Sequence, residues 1–175
     1  MDSKFVLLTT ALALLLCGCG AAETFEMVED EYLQPAMAPM QQVVVLLPED
    51  ISMAVMENDQ TGTLYLCDGY TVTLQTLPGG NLDQTLRETT GFSREQLGVI
   101  QTQQEGVTRT QCVWSAAGEE EEQVGRLTVL DDGNYHYVLA CMTDASRAES
   151  LHDVWQELFD SFRLVSPGED LYTGS

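Results

Sequence analysis

Two short turns set between β-prone runs constrain this chain more than any other feature. Asp68-Gly69 separates Thr63-Leu-Tyr-Leu-Cys67 from Tyr70-Thr-Val-Thr-Leu74. A two-residue loop of this kind predicts an antiparallel hairpin, with glycine supplying the positive φ of a type I′ turn. Pairing across the loop sets Cys67 opposite Tyr70 and Tyr65 opposite Val72. Those four then share one sheet face, and Leu64, Leu66, Thr71 and Thr73 share the other. The second turn, Asp131-Asp132-Gly133-Asn134, joins residues 125–130 to 135–142. In the strand that follows it, Tyr135, Tyr137, Leu139 and Cys141 alternate with His136, Val138, Ala140 and Met142. Both rows are mostly apolar, which predicts a strand in the interior of the sheet.

The rest of the pattern fills in around these hairpins. Further strands are expected over 99–104, 107–116 and 123–130, and a weaker one over 51–56. Val43-Val-Val-Leu-Leu47, stopped by Pro48, reads as an interior strand. Asn81 is placed to cap a helix over 82–90 that Gly91 closes, with Leu82 and Leu86 on one face. Ser93-Arg-Glu-Gln96 has the form of a capping box for one more turn. Ser146 and Glu149 form another capping box ahead of Leu151, Val154, Trp155, Leu158, Phe159 and Phe162, a stripe at helical period. The expected fold class is α+β. It is a single domain, an antiparallel β-sheet packed by a C-terminal amphipathic helix and a shorter mid-chain helix.

The hydrophobic share, 44% of 175 residues, is enough to build a core. The charge narrows the partners. Twenty-eight Asp and Glu stand against 7 Lys and Arg, a formal net charge of −21. Phosphate binding needs clustered cations, so nucleic acid is excluded as a partner. Lys4 is the one lysine of the chain. Beyond it the cations are Arg87, Arg94, Arg109, Arg126, Arg147 and Arg163. Acidity without lysine suits recognition of a cationic protein partner.

The N-terminus carries a targeting pattern. Lys4 precedes an apolar run from Phe5 to Leu16 that would span about 18 Å as a helix, short of the ~30 Å hydrocarbon core. This fits a signal-peptide core rather than a membrane span. The run ends in Leu16-Cys17-Gly18-Cys19, which resembles the bacterial lipobox. The resemblance implies cleavage after Gly18 and a diacylglyceryl thioether on Cys19. Plain signal cleavage after Gly20-Ala21-Ala22 is the competing reading. The domain organisation expected is a lipoprotein signal peptide at 1–18, a flexible acidic tether at 19–40, the α+β domain at 41–166 and a tail at 167–175.

No reaction chemistry assembles along the chain. Cys67, Cys112 and Cys141 remain beyond the lipobox, an odd number without CxxC spacing. They could all stay thiols, or two could pair in any of three ways. A nucleophilic Cys needs a base to lower its pKa, and neither His136 nor His152 is linked to one by spacing. His136 is expected half-exposed beside the Asp131-Asp132 turn, and His152 at the surface. Glu119-Glu-Glu-Glu122 reads as a solvated loop rather than a calcium site, since consecutive carboxylates in a mobile hairpin cannot all face one ion. Trp114 and Trp155 are expected in the core. No catalytic residue, cofactor or metal site is expected.

Tyr135-His-Tyr-Val-Leu-Ala140, Leu158-Phe-Asp-Ser-Phe-Arg-Leu164 and the Pro-Glu break at Leu47-Pro48-Glu49 together resemble the PsbP/Mog1-like α+β family over about residues 43–165. The resemblance implies an accessory or binding role and brings no catalytic motif. The function expected is therefore that of a membrane-tethered extracytoplasmic lipoprotein. It would be held to the cell membrane by the lipid on Cys19 and act as a non-catalytic binding or interaction module. The alternative is a small-ligand carrier or enzyme with a pocket between sheet and helix.

Overall fold

The computed structural model describes residues 38–49, 53–55, 62–118 and 121–165. The signal peptide, Cys19 with most of the tether, Glu119 and Glu120, and the tail lie outside the described residues.

The strands are β1 (Val43–Val44), β2 (Met53–Val55), β3 (Gly62–Cys67), β4 (Tyr70–Pro78), β5 (Ile100–Gln104), β6 (Val107–Ala117), β7 (Glu122–Asp131), β8 (Tyr135–Asp144) and β9 (Arg163–Leu164). The helices are α1 (Leu82–Thr90) and α2 (His152–Ser161). Seven strands form one antiparallel sheet in the order β2-β3-β4-β8-β7-β6-β5, and β1 pairs with β9 in a separate ribbon. The fold is α+β, with a helix on each face of the sheet.

Strand parity sorts the core into two layers. Tyr135, Tyr137, Leu139 and Cys141 of β8 face α2 and meet Leu151, Trp155, Leu158, Phe159 and Phe162. Val138 and Ala140 face the other way, into a cluster with Leu86, Leu97, Cys112, Leu127 and Val129 beneath α1. The central position of β8 follows from its two apolar rows, since each needs its own cover. Full burial of a large apolar side chain contributes ~1.5–3 kcal/mol, so both layers matter to stability.

The first hairpin pairs as its sequence dictates, Cys67 with Tyr70 and Tyr65 with Val72. Its turn is different from the one expected. Gly69 has φ +80°, but Asp68 is not in the positive-φ region, so the turn has the φ signs of type II. Contacts from elsewhere hold it: the Thr143 hydroxyl donates to the Gly69 carbonyl at 2.7 Å, and Arg147 pairs with Asp68 at 3.6 Å. Two successive positive φ values, the type I′ signature, occur instead at Glu105 (53°) and Gly106 (84°), between β5 and β6. Helix α1 matches its reading in full. The Asn81 side chain accepts from Asp83 N–H at 3.0 Å and Gln84 N–H at 3.3 Å, and Gly91 closes the helix at φ +80°.

Three other expectations are corrected. The Val43–Leu47 run is no interior strand: the ladder positions beside β8 are filled by β4 and β7. The run instead straps across the α2 layer. Val43, Val45 and Leu47 pack inward, Leu46 is exposed, and the Leu46 N–H donates to the Ser161 hydroxyl at 2.9 Å. The C-terminal helix starts later than its capping letters suggest. A 3₁₀ turn at Ala145–Arg147 comes first, and the Ser146 hydroxyl donates to Glu121 at 2.8 Å rather than capping. Within the stripe Val154 is exposed, while the other five residues are buried. Finally, Trp155 lies in the core but Trp114 is half-buried, its ring lying over the bare backbone of Gly125.

Asp132 ties the second turn to the strap. One carboxylate oxygen accepts the Asn134 and Tyr135 N–H groups at 2.9 and 2.8 Å. The other accepts the Tyr137 hydroxyl and the Gln41 side-chain amide, both at 3.0 Å. Burial works to raise this carboxyl, but the hydrogen bonds outweigh it and hold it below the ordinary 3.8. The Tyr137 hydroxyl, which also accepts Gln41 N–H at 2.8 Å, is pushed up to about 12, chiefly by burial.

Candidate functional site

Helix α2 does not cover the whole sheet face on its side. It lies over β4, β8 and part of β7, and leaves β5 and the outer half of β6 open. All five residues of β5 are exposed. Ile100 and Val113, which point to the α2 side, are 66% and 64% exposed.

A groove of about 670 Å³ runs where the start of α2 meets this open face. Val113, Ser115, Val124 and Arg126 line it from the sheet, and His152 and Trp155 from the helix. Val113 and Arg126 are register partners, so an apolar side chain and a cation stand directly side by side. The guanidinium carbon of Arg126 lies 4.5 Å from the centre of the Phe159 ring, a cation–π contact. No carboxylate among the described residues lies within 4.0 Å of Arg126. Trp155 is 7% exposed, and its indole N–H finds no acceptor among the described residues.

A smaller cleft of about 340 Å³ lies further along the same face, between β5–β6 and the β9 end of the chain. It contains Arg109, two residues beyond Val107 on the inward row of β6. Arg109 is already committed, donating to the Phe159 carbonyl at 3.3 Å and to the Phe162 carbonyl. It thus satisfies carbonyls that the end of α2 leaves without helical partners. Burial lowers its pKa, Asp160 raises it, and the like charge of Arg126 lowers it. The last effect places the two guanidinium groups within each other's field.

The remaining candidates stay apart. His136 is not half-exposed: it is fully buried, because α1 covers the second face of β8. Its Nδ1 lies 2.8 Å from the Thr85 hydroxyl, and its Nε2 lies 3.7 Å from Asp131 with no hydrogen-bond partner among the described residues. His152 is exposed beside Asp153 at 3.1 Å, on the opposite side of the sheet. Cys67, Cys112 and Cys141 are thiols, and the register keeps them from pairing with one another. Cys112 faces α1, whereas Cys141 faces α2. Cys67 shares the α2 face but lies on β3, with β4 between it and β8. Two strand spacings are about 9–10 Å, beyond the ~7 Å reach of a disulfide. Burial pushes the Cys112 thiol up to about 11 and raises Cys141 as well, with Cys67 adding to the effect at Cys141.

In the sequence Arg109 and Arg126 stand out only as cations. The signal that could have found them is parity. Both sit in phase with the inward rows of their strands, Arg109 with Val107 and Arg126 with Thr128 and Leu130. A charge on an inward row is either paired or functional.

No family model and no curated protein matches the sequence. Solved structures similar to this one include the following three. LpqN of Mycobacterium tuberculosis, described as involved in cell envelope biogenesis, matches 75% of this chain and 88% of its own at 11% identity and a TM-score of 0.49. The Saccharomyces cerevisiae Ran-binding protein Mog1p matches 71% and 91% at 11% identity and 0.47. Cyanobacterial PsbP of Synechocystis matches 73% and 95% at 8% identity and 0.47. Mog1p and PsbP, after which the family resembled in sequence is named, are among these structures. The likeness is one of fold. Among the described residues no helix is long and apolar enough to cross a membrane.

Proposed function

We propose that this protein is a binding module tethered to the extracytoplasmic face of the cell membrane through a lipid on Cys19, and that it performs no catalysis. The groove between β6 and α2 carries the binding reading. It offers an apolar floor and one cation with no carboxylate within 4.0 Å among the described residues, on a frame of strands and helix that holds them in place. A reaction site would need a nucleophile and a base, or a general acid and base, within hydrogen-bond reach. His152 is the imidazole at this groove, and its Nδ1 lies 3.1 Å from the Asp153 carboxylate. The groove also lies between sheet and helix, which favours a small-ligand carrier as the form the module takes.

Leu16-Cys17-Gly18-Cys19 supports the tether. Each acyl CH₂ buried in the bilayer contributes about 0.8 kcal/mol, and several chains together make anchoring stable. The charge of −21 suits a cationic protein partner on surfaces away from the arginines, with binding that weakens as salt screens it over ~8 Å.

The test uses the full chain in a bacterial host that processes lipoproteins, fed an alkyne fatty acid. The wild type should fractionate with membranes and carry the label, and Cys19→Ala should carry none. The membrane-held protein should gain thermal stability from some members of a small-molecule library and turn none of them over. Turnover that disappears in His152→Ala would refute the non-catalytic reading.

A further inference from the structure

We propose that the groove between β6 and the start of α2 binds an amphiphilic monoanion, its acid group on Arg126 and its apolar body over Val113, Val124 and Trp155. This rests on the reading of the protein as a binding module and names the ligand class.

Four observations converge on it. The first is the exposed apolar floor. Val113 stands on an inward row yet is 64% exposed, because α2 stops short of it. The cost of that exposure is recovered when an apolar body covers it. The second is Arg126. Its guanidinium lies over Phe159 on one side, and the described residues place no carboxylate within 4.0 Å of it, in a chain where acids outnumber cations four to one. The planar fork keeps its donors for an acid group that can accept two of them. The third is Trp155, whose ring forms part of the groove wall beside His152 and adds apolar surface for the body of the ligand. The fourth is size. A volume of about 670 Å³ lies within the range of small-molecule sites, ~300–1,000 Å³.

The charge number follows from the arginines. Arg109 lines the neighbouring cleft rather than this groove and turns two of its N–H donors to the Phe159 and Phe162 carbonyls, so it adds field but no hydrogen bond to the ligand. One guanidinium is left for one negative charge. The −21 of the whole chain repels polyanions, so phosphorylated and polymeric anions are selected against.

The experiment uses the full-length lipoprotein in zwitterionic phosphatidylcholine vesicles, with protein-free vesicles as the blank. Equilibrium dialysis measures two probes, 1-naphthylacetate and its neutral amide. The acid should bind saturably, one per chain, about tenfold tighter than the amide. Arg126→Gln should bring the acid down to the level of the amide and leave the amide unchanged, which also reports that the variant is folded. Added salt on the wild type should weaken the acid and spare the amide, a readout that needs no variant. Val113→Glu should abolish both. Equal affinity for acid and amide, or a preference that survives Arg126→Gln, overturns the proposal and leaves a binding groove without anion selectivity. Binding of neither probe overturns it and removes the groove as the support for the binding reading.

Discussion

Arg109 should be one of the most costly surface-accessible side chains to lose, although the sequence presents it as one arginine among six. It reaches from β6 to the far end of α2 and donates to two main-chain carbonyls there. Phe159 and Phe162 are themselves 0% and 1% exposed, so water has poor access to replace these bonds. A hydrogen bond to a charged group contributes about 1.5–3 kcal/mol, and a cation at a helix C-terminus adds about 0.3–1 kcal/mol. The guanidinium is half-buried, and its desolvation offsets part of this. The net loss expected for Arg109→Met, which keeps the stem and removes the donors, is about 2–3 kcal/mol. Arg109→Lys can serve one carbonyl and should lose about half as much. Urea unfolding followed by tryptophan fluorescence reads the difference directly. With a slope of about 2 kcal/mol/M, Arg109→Met should unfold about 1–1.5 M earlier than wild type. Arg87→Met on the exposed face of α1 is the control and should stay within about 0.5 kcal/mol. If Arg109→Met behaves like that control, the clasp between β6 and α2 contributes nothing and the argument from carbonyl satisfaction fails.

Asp132 titrates below its ordinary 3.8 in the folded protein, so the stability it adds is complete above that value and is lost as pH falls through the folded value. Acid unfolding followed by circular dichroism should show wild type and Asp132→Asn converging at low pH and separated near neutrality; a constant gap would contradict this. The Cys112 thiol, pushed up to about 11, and Cys141, raised as well, should resist a thiol reagent at pH 8 in the native protein and react once it is unfolded in urea. Rapid labelling of both in the native state would show that the two layers are not closed. Trp155→Ala should cost about 3–5 kcal/mol, read as an early urea midpoint, since it empties a site between α2 and β8. Gly125→Ala should destabilise measurably, because its Cβ would run into the ring of Trp114; unchanged stability would mean the ring moves aside freely.

What could be read from the sequence was whatever a fixed period imposes. Strand register across Asp68-Gly69 follows from the two-residue spacing alone, and Cys67, Tyr65, Tyr70 and Val72 take the face that spacing dictates. The caps of α1 were legible for a similar reason, since Asn81 and Gly91 act on backbone atoms two to four residues away. Letters with two local uses misled. Ser146 and Glu149 spell a capping box, but the Ser146 hydroxyl goes to Glu121, which lies 25 positions earlier and was reachable only after folding. His136 looked outward because an imidazole among apolar neighbours suggests water. Its row is covered by α1, and Thr85 supplies the partner from 51 positions away. The groove was invisible for the same reason. Arg126 and Val113 become neighbours through the β6–β7 register, but nothing local says that α2 covers the first with Phe159 and leaves the second exposed.

The strap formed by β1 has a mechanical consequence. If the chain is held at Cys19, any tension along it enters the described fold next to Gln41. The first bonds to bear the load are the two from Gln41 to Tyr137 and Asp132, and then a two-residue ladder, Val43 with Leu164 and Val44 with Arg163. Such a short ladder yields before the seven-stranded sheet does, and its release frees Leu46 from Ser161 at the end of α2. Under such a load the fold therefore carries a mechanical fuse at the point where the chain enters it, and the strap comes away before the sheet is loaded.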